Sequence, residues 1–236
     1  MDKSFLPVLK NGLKTVCDLI FPRACINCQS RLSPTETYLC ESCFKQLILL
    51  KTHIRDEWEI PVKYFDRAYS IFRYDGPVRQ CIHFLKYEEY THIAEYMAIL
   101  MLETGGLKVP VNYDFVIPVP LHPVKKRERG YNQAELFANA IAKRLGLSVE
   151  LNIVTRNRYT ETQTLKSHQE RISNVSHAFK CYTKADIQGK KILLVDDVVT
   201  TGSTINSIAQ LLKERKAKRV DILTFAFANI GKHQTV

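Results

Sequence analysis

This chain has no apolar run approaching the roughly twenty residues that a membrane-spanning helix needs. Nor is a secretion signal expected at its N-terminus, since Lys10, Asn11 and Lys14 interrupt the apolar residues there. The expected setting is cytoplasmic, where disulfides are disfavoured. Acidic residues are the scarcer charge, 24 against 34 Lys and Arg, for a net charge of +10. That excess favours polyanionic partners: a phosphorylated ligand, nucleic acid or an acidic protein surface. The basic residues gather at Lys125–Arg129, Arg156–Arg158 and Lys213–Arg219, the last run suiting a solvated helix end. The hydrophobic fraction of 45% is ordinary, and 236 residues allow one domain of good size with a small module.

Four of the seven cysteines form two C-x-x-C pairs, Cys25 with Cys28 and Cys40 with Cys43. Each pair can aim two thiolates at one tetrahedral ion, and two pairs close its shell, so structural zinc is the expected occupant. A module of about 25 residues cannot build its own core, so the metal would supply its folding free energy. Cys17, Cys81 and Cys181 read as ordinary thiols. Leu6, Leu9, Leu13, Val16 and Ile20 mark one face of an amphipathic helix before the module. The polar, Pro-terminated stretch Thr52–Pro61 is the expected boundary. Residues 1–55 would form the N-terminal helix and four-cysteine zinc module, and residues 60–236 the main domain.

The main domain is organised around Lys190–Asn206. Ile192–Val195 is a continuous apolar run, as a strand covered on both faces requires. Asp196 and Asp197 follow, then Thr200, Thr201, Gly202, Ser203 and Thr204, then apolar residues at helical spacing. A helix N-terminus receives a phosphate readily, Gly202 lets the backbone approach it or take φ > 0, and the hydroxyls can donate to its oxygens. Two carboxylates repel a phosphate but suit sugar hydroxyls, or Mg²⁺ through its waters. Paired acids favour a ligand over stability, so removing both is expected to leave the ligand-free protein no less stable.

Ile192–Thr204 resembles the 5-phosphoribosyl 1-pyrophosphate (PRPP) motif of the type I phosphoribosyltransferases. The resemblance implies an α/β fold, a parallel sheet flanked by helices. It implies Asp196 and Asp197 at the ribose hydroxyls, Thr200, Thr201, Gly202, Ser203 and Thr204 around the 5-phosphate, and Mg²⁺ with the PRPP. It also puts the pyrophosphate at the loop after the first core strand, at Val119, Pro120, Leu121 and His122.

Strands are expected at Phe65–Tyr74, Asp114–Pro120, Val149–Val154, His177–Tyr182 and Val220–Ala228. Helices are expected at Phe44–Leu50, from Val78 to Leu85 and from Ile93 to Met101. Lys125–Gln133 reads as a basic, glycine-bearing loop, with Asn132 capping the next helix and Glu135 completing a capping box. Thr155–Ser176 is long, polar and without an apolar stripe. The resemblance makes it a mobile loop that closes over PRPP and shields the reacting carbon from water.

The C-x-x-C pairs, P-V-P-L-H-P, R-G-Y-N-Q-A, R-I-S-N-V and the Asp-Asp motif occur in one order that is similar to the ComF family, the ComFC-like, amidophosphoribosyltransferase-like proteins of DNA uptake. That resemblance implies natural transformation, incoming single-stranded DNA and a helicase-like partner. Three functions follow. One is a PRPP-binding protein of DNA uptake that catalyses phosphoribosyl transfer, with Arg127, Arg129 and Arg171 stabilising the departing charge. The second is a non-catalytic adaptor that binds PRPP or a nucleotide and docks DNA, with Tyr131 and Tyr159 as stacking rings. A purine-salvage enzyme is the third, disfavoured by the zinc module. No acceptor pocket and no base for an acceptor can be read from the chain.

Overall fold

The computed structural model describes residues 22–50, 62–104, 112–157, 178–182 and 186–228. The expected N-terminal helix, Cys17, the boundary stretch, Tyr159, Arg171 and nearly all of Thr155–Ser176 lie outside these residues. The described residues fall into two compact units, one ending at Leu47 and the other beginning at Ile48.

The smaller unit is built from short turns. Arg23 to Leu32 folds back on itself through an Ala24–Arg31 bridge, and Gln29 takes a left-handed φ of 63° in the turn. Its only helix among the described residues is α1 (Glu41–Phe44), which begins directly after Cys40. Its buried apolar side chains, apart from the cysteines, are Ile26, Leu32 and Leu39. So few side chains make only a small core.

In the larger unit the elements run β1 (Arg67–Arg73), α2 (Gly76–Tyr87), α3 (Ile93–Glu103), β2 (Phe115–Pro118), α4 (Pro123–Arg129), α5 (Gln133–Leu145), β3 (Ser148–Val149), β4 (Val154–Arg156), β5 (Phe179–Cys181), β6 (Lys191–Val199), α6 (Ser203–Glu214) and β7 (Arg219–Phe227). Five strands form one parallel sheet in the order β1-β7-β6-β2-β3. β4 and β5 pair antiparallel as a separate ribbon. Alternate residues of a strand face opposite sides. Ile192 and Leu194 of β6 and Val220 and Ile222 of β7 join one core with Ile205, Ile208 and Leu212 of α6. On the other side Phe225 of β7 meets Phe137 of α5 and Phe72 of β1, at centroid distances of 6.1 and 5.0 Å. Both faces are therefore covered, which is why Ile192–Val195 of β6 is a continuous apolar run and β7 is buried from Val220 to Phe227.

Four expectations need correction. Lys125–Gln133 is not all loop: α4 occupies Pro123–Arg129. Pro123 opens it, the His122 ring accepts from the Val124 N–H at 3.2 Å, and Gly130 ends it at φ 82°. Proline first and glycine just past the end are helix signals, and they outweigh the charge of the segment. Phe44–Leu50 is not a helix: α1 ends at Phe44, and Ile48–Leu50 runs antiparallel along the edge of β1 through a Leu49–Phe72 bridge. Val149–Val154 is split between β3 in the main sheet and β4 in the ribbon. The capping box is half formed: the Asn132 side chain accepts from Ala134 N–H at 3.1 Å, while Glu135 pairs with Lys126 at 2.9 Å.

Phe225 is fully buried between aromatic neighbours from β1 and α5. Phe225→Ala should lower stability by about 3–5 kcal/mol, the usual cost of deleting a buried ring. Denaturant titration should show this as a lower midpoint with an unchanged slope.

Candidate functional site

The chain passes from β2 to β3 in one direction across the sheet, and from β6 to β7 in the other. Parallel sheets open a crevice at the carboxyl ends of their strands where the order reverses in this way. Here that crevice is a cleft of about 340 Å³. Val119, Pro120 and Leu121 line it from the end of β2, and Asp196 to Ile205 from the end of β6 and the start of α6. Lys86 of α2, Gln133 of α5 and Arg156 of β4 complete it.

Two buried amides hold these loops. Asn132 donates to the Val119 carbonyl at 3.0 Å while its oxygen caps α5. Asn206, in the first turn of α6, accepts from Tyr64 N–H at 2.9 Å and donates to the Val62 carbonyl at 2.8 Å. Gly202 is the N-cap of α6 at φ 75°, a left-handed conformation that glycine adopts at little cost. It offers no side chain, so the start of α6 is left to other partners. Around it the Thr201 and Ser203 hydroxyls lie 3.0 Å apart.

Asp197 is 1% exposed. Its Oδ2 lies 2.7 Å from Lys86 Nζ, in an ion contact rather than an aligned hydrogen bond. Burial pulls the Lys86 ammonium toward the neutral form, but Asp197 and then Asp196 overcome this and leave its pKa raised. Asp196 keeps part of its surface open to the cleft. Loss of water and the neighbouring Asp197 charge nonetheless hold its carboxyl well above the ordinary range. Asp197 N–H donates to Asp196 Oδ1 at 2.9 Å and partly offsets this. Arg156 is shifted the other way: burial lowers its pKa and Asp196 works against that.

The expected site residues are thus divided. Asp196, Asp197, Thr200, Thr201, Gly202, Ser203, Thr204, Val119, Pro120 and Leu121 come together in one cleft. His122 lies beside them and caps α4. Arg127 is exposed on α4. Arg129 lines a neighbouring cavity of about 300 Å³ with Lys86, Tyr87, Lys125 and Tyr131. It also donates to Gln133, and its guanidinium lies 5.4 Å from the Tyr87 ring centroid. The Tyr131 hydroxyl is engaged with the Leu85 carbonyl at 2.6 Å. Lys86 and Gln133 were not expected in the cleft, and Arg156 was noted only as part of a basic group. One signal for Lys86 was present: it continues the Val78, Ile82 row at helical spacing, on the buried side of α2. A larger cavity of about 680 Å³ shares Pro120, Leu121 and Arg156 with the cleft, but neither aspartate nor any of Thr200–Thr204 lines it.

In the smaller unit the sulfurs of Cys25, Cys28, Cys40 and Cys43 all lie within 4.8 Å of one another. On a tetrahedral ion with metal–sulfur bonds of about 2.3 Å, two sulfurs stand about 3.8 Å apart. The 3.6 Å between Cys28 and Cys40 fits this. Two donors also reach the sulfurs: Cys40 N–H lies 3.4 Å from Cys25 Sγ, and Asn27 Nδ2 lies 3.2 Å from Cys43 Sγ. The Ser30 hydroxyl and its backbone N–H lower the Cys28 thiol to about 6, whereas burial pushes Cys43 up to about 12. A bound cation would draw the buried thiols into the thiolate form. The cluster could therefore hold a metal ion. No helix among the described residues is long and apolar enough to cross a membrane.

The chain is similar to several known proteins. A phosphoribosyl transferase domain model matches residues 132–235. Competence protein F of Haemophilus influenzae is 30% identical over 224 residues, covering 86% of this chain and 96% of its own. DNA utilization protein YhgH of Escherichia coli is 34% identical over 165 residues, covering 67% of this chain and 70% of its own. Competence protein ComFC of Streptococcus pneumoniae is 28% identical over 204 residues, covering 86% of each chain.

A pH dependence follows for Asp196. Its folded-state pKa is raised, so the stability it contributes is fully present below its unfolded value and is lost as pH rises through the folded value. Asp196→Asn should therefore melt higher than wild type at neutral pH. The difference should shrink as pH falls through the carboxylate range, as a calorimetric series from pH 8 down to pH 4 would show.

Proposed function

This chain belongs to the competence protein F (ComF) family, and from that premise we propose that it is a PRPP-binding protein of DNA uptake that acts on incoming single-stranded DNA. Its larger unit has the phosphoribosyltransferase fold, a parallel sheet with helices on both faces. The observation that carries the ligand is the meeting, in one cleft, of two adjacent aspartates with a hydroxyl-rich, uncapped helix start.

Asp196 and Asp197 would accept from the ribose 2′ and 3′ hydroxyls. Thr200–Thr204 and the N–H groups at the start of α6 would hold the 5-phosphate. Val119–Leu121 would carry the pyrophosphate, with Mg²⁺ bound to it to spread its charge. Arg156 is the cation of the cleft best able to stabilise that charge as the C1–oxygen bond breaks. Arg129 would act at one remove, through Gln133. Arg127 and Arg171 are carried by the family resemblance alone.

The adaptor reading has its own support. Tyr87 and Tyr90 are 66% and 49% exposed, with Arg129 over the Tyr87 ring, and such basic-aromatic surfaces stack single-stranded bases. A helicase-like protein is the partner that would then join the DNA. In the smaller unit the four sulfurs suit zinc, whose tetrahedral, closed thiolate shell is structural.

Two measurements test these roles. PRPP with Mg²⁺ should raise the melting temperature of the wild type, and Asp196→Ala should abolish the rise. Equal shifts in both would remove the aspartate pair from the site. Release of pyrophosphate on adding single-stranded DNA would identify an enzyme, and a shift without release would identify an adaptor. Metal analysis of the purified protein should find one zinc per chain, and Cys40→Ser should lose it and open the N-terminal unit to proteolysis. Metal-free wild type with Cys25–Cys28 and Cys40–Cys43 disulfides would overturn the zinc assignment.

A further inference from the structure

Two buried hydroxyls of the main sheet have no role so far. Ser70 of β1 and Thr224 of β7 are both 0% exposed, and neither side-chain oxygen has a hydrogen-bond partner among the described residues. Buried polar groups are nearly always paired, so two unpaired neighbours need a physical reason. The strand register sets them in one row that ends on an acid. Ser70 lies opposite Thr224, and Thr224 lies opposite Asp196 of β6. Residues in register on neighbouring strands face the same side of the sheet. Two residues earlier on the same strands, Ala68, Ile222 and Leu194 belong to the core that α6 covers. Ser70, Thr224 and Asp196 therefore form a polar layer next to an apolar one, running from the cleft through the interior to β1.

Neighbouring strands stand about 4.8 Å apart. Across that spacing Ser and Thr hydroxyls hydrogen-bond to one another, and a change of χ1 rotamer brings an unpaired one into reach. An ionised carboxylate only accepts, so the direction is fixed: Ser70 donates to Thr224, and Thr224 donates to Asp196. The charged groups that face Asp196 are Asp197 on its own strand, Lys86 from α2 and Arg156 from β4. From the start of α6 and the turn before it come the uncharged Thr201, Ser203 and Thr204. Lys86 is committed to Asp197 at 2.7 Å, so Asp196 is the less well balanced of the two acids. We propose that Ser70 and Thr224 are positioning residues that act through Asp196: a buried hydroxyl relay donates to its carboxylate from within the sheet and leaves the open side to accept from the ligand. What that open side accepts rests on the phosphoribosyl reading; the relay does not.

The first test is ligand-free calorimetry of the full chain from pH 5 to pH 9. Thr224→Val keeps the shape and removes the hydroxyl. While Asp196 is protonated the variant should melt no lower than wild type, since an unpaired buried hydroxyl is no gain. The folded-state pKa of Asp196 is already raised, and losing the donor raises it further. The variant should therefore fall progressively below wild type once pH passes the wild-type value. Thr224→Ser keeps the donor and should follow the wild-type pH dependence. In an Asp196→Asn background the effect of Thr224→Val should be the same at every pH. A Thr224→Val difference that does not vary with pH, or a variation that persists in the Asp196→Asn background, overturns the relay. The second test is binding of PRPP with Mg²⁺ at neutral pH. Thr224→Val should bind about ten-fold more weakly than wild type, as loss of a hydrogen bond to a charged group implies, and Thr224→Ser should bind like wild type. Equal affinity of wild type and Thr224→Val overturns the positioning role. If PRPP does not bind wild type, the phosphoribosyl reading falls, and the ligand-free series still decides the relay.

Discussion

A carboxylate that is almost completely buried at the end of a central strand must be given a cation or a proton. For Asp197 the cation is Lys86, and much of the larger unit is arranged so that this side chain arrives. α2 is long enough to carry it because Pro77 starts the helix and Val78, Ile82 and Leu85 anchor its buried face. The Tyr131 hydroxyl takes the Leu85 carbonyl, one residue before Lys86, and fixes the helix end. Removing one member of such a pair strands the other, a cost typically of about 3–5 kcal/mol for a buried ion pair. The expectation that the ligand-free protein is no less stable without both aspartates has to be set against this ion pair, which only Asp197 makes. Asp196 is uncomfortable as an anion, whereas Asp197 is half of a structural pair.

The loops around that pair owe their places to short polar clamps. Asn132 joins the end of β2 to the start of α5, and Asn206 joins the start of α6 to residues 62–64. Each is a buried amide using both its oxygen and its nitrogen, so each contributes two bonds that no apolar side chain of its size could replace. Rigid strands deliver the chemistry to the crevice, and the two amides hold the turns that shape it.

What the sequence disclosed follows from what is contiguous. Strand, acidic pair, hydroxyl turn and helix succeed one another without a gap from Ile192 to Leu212, and all of them reach the cleft. The two C-x-x-C pairs were legible for the same reason, since a turn of four residues sets the geometry of each pair. Lys86 was not legible, because its partner is brought to it by tertiary packing and its helical spacing shows only that it faces inward. α4 was missed although Pro123 and Gly130 mark both ends, because its charged composition suggested a loop. The separation of β3 from β4 depends on strand pairing, which local composition does not encode.

The same packing sets the electrostatics of the cleft. Lys125 is held below the ordinary lysine range first by burial, then by the positive charges of Arg156 and Arg129. Lys86 and Arg129 share the adjoining cavity with it, and Lys86 and Arg156 line the cleft itself. These cations repel one another, but Glu89 and Glu128 also line that cavity, so with Asp196 and Asp197 four acidic side chains stand among the four cations. The repulsion that Lys125 feels from Arg156 and Arg129 would be relieved by an anion placed beside it. A phosphate at the start of α6 and charge at the end of β2 would each reduce that strain. The net charge of +10 is not gathered there: Lys86 and Arg156 are matched in the cleft by Asp196 and Asp197, so the site presents both signs of charge side by side.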